Sequence, residues 1–245
     1  LSLINLLSVF IGPAIAAYIA ITFRSKLNSR DGTLLVNCFF ISMLTVIPSV
    51  FIKYTASELG FNERIYSLFG KIGYSAFSAF VDELNKYIII IAYAYRKREF
   101  DEPLAGILVC FMIAMGFTTI ENAWHIIDAD KYSDTWRMLA IIPVSLICAV
   151  IMGYYSGLSK YGLDADDLSS FGLRVRGLLT AVLFHGFYNF FLFMDEYRSL
   201  ITLIVIFVII ALVQISILLL RTNRLHTRLK YSRRKRSGTS EEAVF

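Results

Sequence analysis

Residues 104–127 read LAGILVCFMIAMGFTTIENAWHII, a stretch whose first ionisable side chain, Glu121, comes only in its last third. At about 1.5 Å of rise per helical residue, such a run is long enough to cross the roughly 30 Å hydrocarbon core of a bilayer. Working outward with the same criterion gives six more windows: Leu6–Phe23, Leu34–Tyr54, Tyr74–Tyr95, Arg137–Tyr155, Gly177–Met194 and Leu200–Leu220, joined by short polar loops. The fold predicted is all-α: a polytopic membrane protein of about seven transmembrane helices in one bundle. It divides into a membrane domain over 1–220 and a basic tail over 221–245. The first window lacks a basic leading region and is followed by Arg24, Lys26 and Arg30, so it reads as a retained span and not as a cleaved signal.

Composition agrees with that reading. Of 245 residues, 57% are hydrophobic and only 18% charged, and the mean hydropathy is +0.63. A soluble domain carries about 25% charged residues. The three cysteines, Cys38, Cys110 and Cys148, stand singly in apolar runs and read as small core residues, which excludes a disulfide framework.

The net charge of +5 would suggest nucleic acid in a soluble protein. Its distribution points elsewhere. With the tail in the cytoplasm and the N-terminus outside, the cytoplasmic loops and tail hold 17 Lys and Arg. The outer side holds six: Lys53, Arg64, Lys71, Lys131, Arg137 and Arg198. The surplus is thus an orientation signal, and the partners expected are the lipid bilayer and a membrane protein, with no nucleic acid.

What the topology cannot place in loops or at span ends is Asp82, Glu83 and Lys86 in the third window, Glu121 in the fourth and His185 in the sixth. A charge at the bilayer centre costs at least about 2.5–3.5 kcal/mol, so such groups face the bundle interior and pair with one another. Counted inward from the outer end of each span, Asp82, Glu83, Glu121 and His185 fall at one level, roughly 10–14 Å below the outer surface. Three separate stretches converging on one plane suit a catalytic centre or an ion site. Lys86 is three residues from Glu83 and four from Asp82, so it can neutralise one carboxylate while the other serves as base or ligand. His185 and Asn189 share a face of their helix, as do Glu121 and His125; His125 reads as an interfacial residue. Carboxylates and imidazoles of this kind suit activation of water, directly or through a metal.

At these residues the sequence resembles the PrsW family of intramembrane proteases, related to the wider superfamily of CAAX-processing and bacteriocin-immunity membrane proteases. A Glu-Glu-x-x-Lys helix is matched by Asp82-Glu83-Leu84-Asn85-Lys86. A Glu-Phe-x-x-Pro-x-Asp-Gly loop leading to Gly-Phe-x-x-x-Glu-Asn is matched by Glu99 to Gly106 and Gly116 to Asn122. A Pro-x-His helix leading to Gly-Tyr-x-x-Gly is matched by Pro143 to Ser145 and Gly153 to Gly157, and Phe-His-Gly-x-x-Asn by Phe184 to Asn189. The matching core runs from about 75 to 195. Three positions depart from the pattern: Asp82 for glutamate, Ala105 for aspartate and Ser145 for histidine.

The resemblance implies a peptidase of the bacterial inner membrane. It would cut a single-span regulator of the anti-sigma-factor type, in stress signalling, near the outer boundary of the bilayer. Glu83 with Glu121 would activate water, Lys86 would hold the Asp82–Glu83 pair ionised, and His185 with Asn189 would polarise the scissile carbonyl. The residues allow a metal site, with Glu83, Glu121 and His185 around zinc, or an ion-free mechanism run by Glu83 and its histidine partner. Two alternatives stay open. One is a pseudoprotease that has lost turnover through Ala105 and Ser145; the other is a cation-coupled transporter, for which a second copy of the charged helix is missing.

Overall fold

The computed structural model describes residues 3–23, 32–62, 67–100, 103–127, 135–161 and 167–193. Seven α-helices make up nearly all of them: α1 (Leu3–Phe23), α2 (Thr33–Leu44), α3 (Val46–Glu58), α4 (Leu68–Ala92), α5 (Pro103–Ile127), α6 (Thr135–Tyr161) and α7 (Asp167–Leu192). A short 3-10 turn, Ala94–Arg96, follows α4. The fold is all-α, as its sequence predicts.

Among the described residues, four helical stretches are long and apolar enough to cross a membrane: α2 with α3 (Thr33–Glu58), and most of α5, α6 and α7. The first and third predicted windows are helices as well. In α1 the apolar stretch, Leu7–Thr22, is shorter, and α4 carries Asp82, Glu83 and Lys86. The seventh window, 200–220, and the basic tail lie outside the described residues.

Helix α5 is the centre of the bundle. Of its apolar window 83% is buried, against 33% for α2 with α3. It packs on α1, α2 and α6, while α7 joins α6 to α4. Glycines set the closest approaches: a Cβ at Gly106 would lie 2.6 Å from the Gly153 carbonyl oxygen, so α5 and α6 meet backbone to backbone. In lipid, where apolar side chains gain little by leaving the solvent, such close packing is what holds helices together.

The second window is one membrane-length stretch, as predicted, interrupted at the single residue Thr45, whose hydroxyl donates to Ser42 O at 2.9 Å. Pro48, in the first turn of α3, has no N–H to continue the ladder across that break. The loop predicted over 156–176 is mostly helix, since α6 runs to Tyr161 and α7 starts at Asp167. The charges there made it read as a loop; instead Lys160 donates to the carbonyls of Tyr95 and Lys97 at 2.7 and 2.9 Å. Helix ends that reach the interface carry such cations without stopping.

Candidate active site

The middle of α4 places neighbouring carboxylates in two different settings. Glu83 is fully buried. Its Oε1 accepts from Lys86 Nζ at 2.7 Å and meets His185 Nδ1 at 2.7 Å, while Oε2 is buried with no hydrogen-bond partner. Lys86, one turn along α4, has its ammonium 4.7 Å from the centre of the Phe117 ring. His185 comes from α7, where Gly186 faces the backbone of Ala76 and the side chain of Ala79 on α4. That close approach is what brings imidazole and carboxylate together.

Asp82 points to α3. Its carboxylate accepts from Ser49 Oγ and from Lys53 Nζ at 2.9 and 3.1 Å. The same ammonium lies 3.8 Å from Glu121 Oε1, and Glu121 Oε2 is buried without a hydrogen-bond partner. Around these groups lies a small cavity, the size of about one water molecule, lined by Lys53, Ser78, Asp82, Glu121, His125 and Asn189 among others.

These positions bear directly on the sequence reading. Glu83, Lys86 and His185 come together as one contact group; Asp82, Glu121 and Asn189 line the adjoining cavity. Lys86 pairs with Glu83 and not with both carboxylates of its helix, because a step of one residue turns Asp82 about 100° away. Lys53, counted above as an outer-side positive, belongs to the site. Glu121 sits beside Lys53 and Asp82 and not at the Glu83–His185 contact. His125 also lines the cavity.

Sequence reasoning missed Ser49, Lys53 and Cys148. The last lies on α6, and one donor atom each from Glu83, Cys148 and His185 falls within 4.8 Å of the others. A carboxylate, a thiol and an imidazole, all buried and with one carboxylate oxygen left over, form a donor set that fits a borderline-soft divalent cation such as zinc.

The remaining motif residues have structural work. Gly116 lies against the Phe39 carbonyl and Ser42 of α2, where no side chain would fit. Asn122 Nδ2 donates to Ser8 O at 3.3 Å and Met138 O at 3.0 Å, tying α5 to α1 and α6. Ser145 is fully buried and accepts from Thr118 Oγ1 at 3.0 Å.

The model of the PrsW family intramembrane metalloprotease matches residues 31–215 of the chain, taking in every residue of the site. The chain belongs to the PrsW family. Among curated relatives it is similar to Protease PrsW of Clostridioides difficile (strain 630), 30% identical over 180 residues, which covers 72% of this chain and 71% of the relative. Protease PrsW of Oceanobacillus iheyensis is 29% identical over 194 residues, covering 78% of this chain and 84% of the relative. Protease PrsW of Bacillus subtilis (strain 168) is 25% identical over 189 residues, covering 76% and 82%. No solved structure matches the chain. Membership of the PrsW family, together with the apolar helices, makes this a multi-pass membrane protein of a peptidase family.

Proposed function

We propose that this chain is an intramembrane endopeptidase of the bacterial inner membrane. It cuts a single-span regulatory protein of the anti-sigma-factor type in the outer half of the bilayer, with its N-terminus outside and its C-terminus in the cytoplasm. The observation that carries the reading is Glu83: a buried carboxylate whose Oε1 is held by Lys86 and His185 while its Oε2 is left unpartnered. Lys86 neutralises the carboxylate and His185 fixes its plane, so Oε2 is the oxygen free to take a proton from attacking water. Asp82 and Glu121 order that water in the adjoining cavity. Asn189, one turn beyond His185 on α7, supplies an amide N–H to the scissile carbonyl as its oxygen gains charge. In the alternative, metal-dependent form, Glu83, Cys148 and His185 would hold a zinc ion and Glu83 would be a ligand in place of the base. Bound there, the ion would polarise the carbonyl and the water as a Lewis acid.

The test is co-expression with tagged single-span candidate substrates, comparing wild type with Glu83→Gln and His185→Ala. Cleavage by wild type alone is expected; equal cleavage by all three ends the proposal.

One observation favours a second reading. Where the resemblance puts a histidine, a neutral pair, Thr118 and Ser145, is bonded to itself, which suits a protein that keeps the cradle and binds without cutting. Capture of the same substrates uncut, by wild type and Glu83→Gln alike, would support that reading.

A further inference from the structure

Near the outer end of its span, a lysine normally extends to the headgroups, where its ammonium keeps its hydration. Lys53 instead turns inward. Its ammonium contacts both oxygens of Asp82 at 2.9 and 3.1 Å and lies 3.8 Å from Glu121. Ser49, one turn earlier on α3, donates to the same Asp82, so two successive turns of α3 grip one carboxylate. Apolar packing does little to seat α3: Val46 and Ser49 are its only buried residues among those described, while Ile47, Phe51 and Tyr54 are more than half exposed. The polar grip is what registers α3 against the site.

That grip acts on the reaction through two carboxylates. Asp82 is joined by a peptide bond to Glu83, so clamping Asp82 fixes the rotation of α4 and with it the direction of Glu83. Glu121, on α5, shares the cavity with Asp82, and without an ammonium between them the two would repel. We propose that Lys53 is a positioning residue for the peptidase reaction, its ammonium holding Asp82 and Glu121 together so that the water-sized cavity they line stays open next to the turn of α4 that carries Glu83. The inference rests on the peptidase reading and deepens it.

The test uses the full-length protein in nanodiscs with a cleavable substrate. Lys53→Gln keeps a hydrogen-bond donor and drops the charge. It is expected to lower kcat about 10- to 100-fold, the usual consequence of misplacing reacting groups by about 1 Å, with KM changed less than about threefold. Lys53→Arg keeps the charge and is expected to restore most of the loss. In the Lys53→Gln background, Glu121→Gln should have a smaller effect than in wild type, because the repulsion it relieves is then present.

Three results would overturn the proposal: unchanged kcat in Lys53→Gln, strictly additive effects with Glu121→Gln, or equal losses in Lys53→Gln and Lys53→Arg that follow the melting temperature alone. Glu83→Gln is run in parallel. If wild type does not cleave, the peptidase reading fails; if Glu83→Gln cleaves as well as wild type, its Glu83-centred mechanism fails; if Glu83→Gln is inactive while Lys53→Gln turns over normally, only the role of Lys53 fails.

Discussion

The Glu83 centre and the Asp82 cluster are built from neighbouring residues of one helix turn, yet they are opposite kinds of site. Around Glu83 every contacting polar group is sealed: Glu83, Lys86 and His185 are each at most 1% exposed. Around Asp82 the counter-ion is partly open, the Lys53 side chain being 21% exposed and that of Glu121 11%. The origin of the two lysines differs in the same sense. Lys86 lies three residues away on the same helix, whereas Lys53 is brought from α3. The difference separates a dry centre, where Glu83 is held by Lys86 and His185, from a wetter antechamber lined by Asp82 and Glu121.

The contrast is sharpest in the response to losing each lysine. Lys86→Met leaves a buried carboxylate without its counter-ion, and breaking a pair of this kind costs about 3–5 kcal/mol. The variant is expected to melt far below wild type in detergent and to be inactive. Lys86→Met combined with Glu83→Gln should recover most of the stability and none of the activity. Lys53→Gln, at a partly hydrated pair, should cost much less, about 1 kcal/mol. Equal destabilisation by Lys86→Met and Lys53→Gln would remove the distinction between dry and wet halves.

Accessibility gives a second way to break the comparison. A thiol placed at the mouth of the antechamber by Lys53→Cys, where the native side chain is 21% exposed, should react with a small membrane-impermeant thiol reagent added from the outer side, at least about tenfold faster than native Cys148, since alkylation requires an accessible thiolate. Labelling of Cys148 at the same rate would mean that water reaches the Glu83 centre directly. Labelling of Lys53→Cys from the cytoplasmic side alone would reverse the proposed orientation.

How much of this was legible before the structure follows from the physics of each group. Asp82, Glu83, Lys86, Glu121 and His185 could be read from sequence because a charge in lipid has no cheap solution other than convergence. Their partition into two settings could not, since spacing along α4 permits Lys86 to serve either carboxylate. Lys53 was hidden for a different reason: at the end of an apolar window it looks like an ordinary interfacial cation. Only the packing of α3 against α4 brings it to Asp82. Cys148 carries no signal of its own, because a thiol in an apolar run looks the same in a hydrophobic core as beside a carboxylate. The early starts and late ends of α6 and α7 were missed because hydropathy measures the membrane's thickness, whereas a helix ends where its backbone bonds end.

The smallest expected effect concerns Ser145, which belongs to neither half. Its hydroxyl accepts from Thr118 at 3.0 Å, and a neutral hydrogen bond of this kind contributes about 1 kcal/mol net. Ser145→Ala removes the acceptor, but Thr118 need not be stranded: a threonine in a helix can turn its hydroxyl to the carbonyl four residues back, as Thr119 does to Met115 O at 2.6 Å. Stability should therefore fall by no more than about 1 kcal/mol, and substrate cleavage should stay within about threefold of wild type, because no group of either half leans on Ser145. Ser145→His, in contrast, forces an imidazole into a fully buried position and should destabilise by about 1–3 kcal/mol through overpacking. If Ser145→Ala abolished cleavage while leaving the melting temperature unchanged, the hydroxyl would have to be acting on substrate or water. The boundary of the catalytic machinery would then lie one helix turn deeper than Glu121 and Asn189 place it.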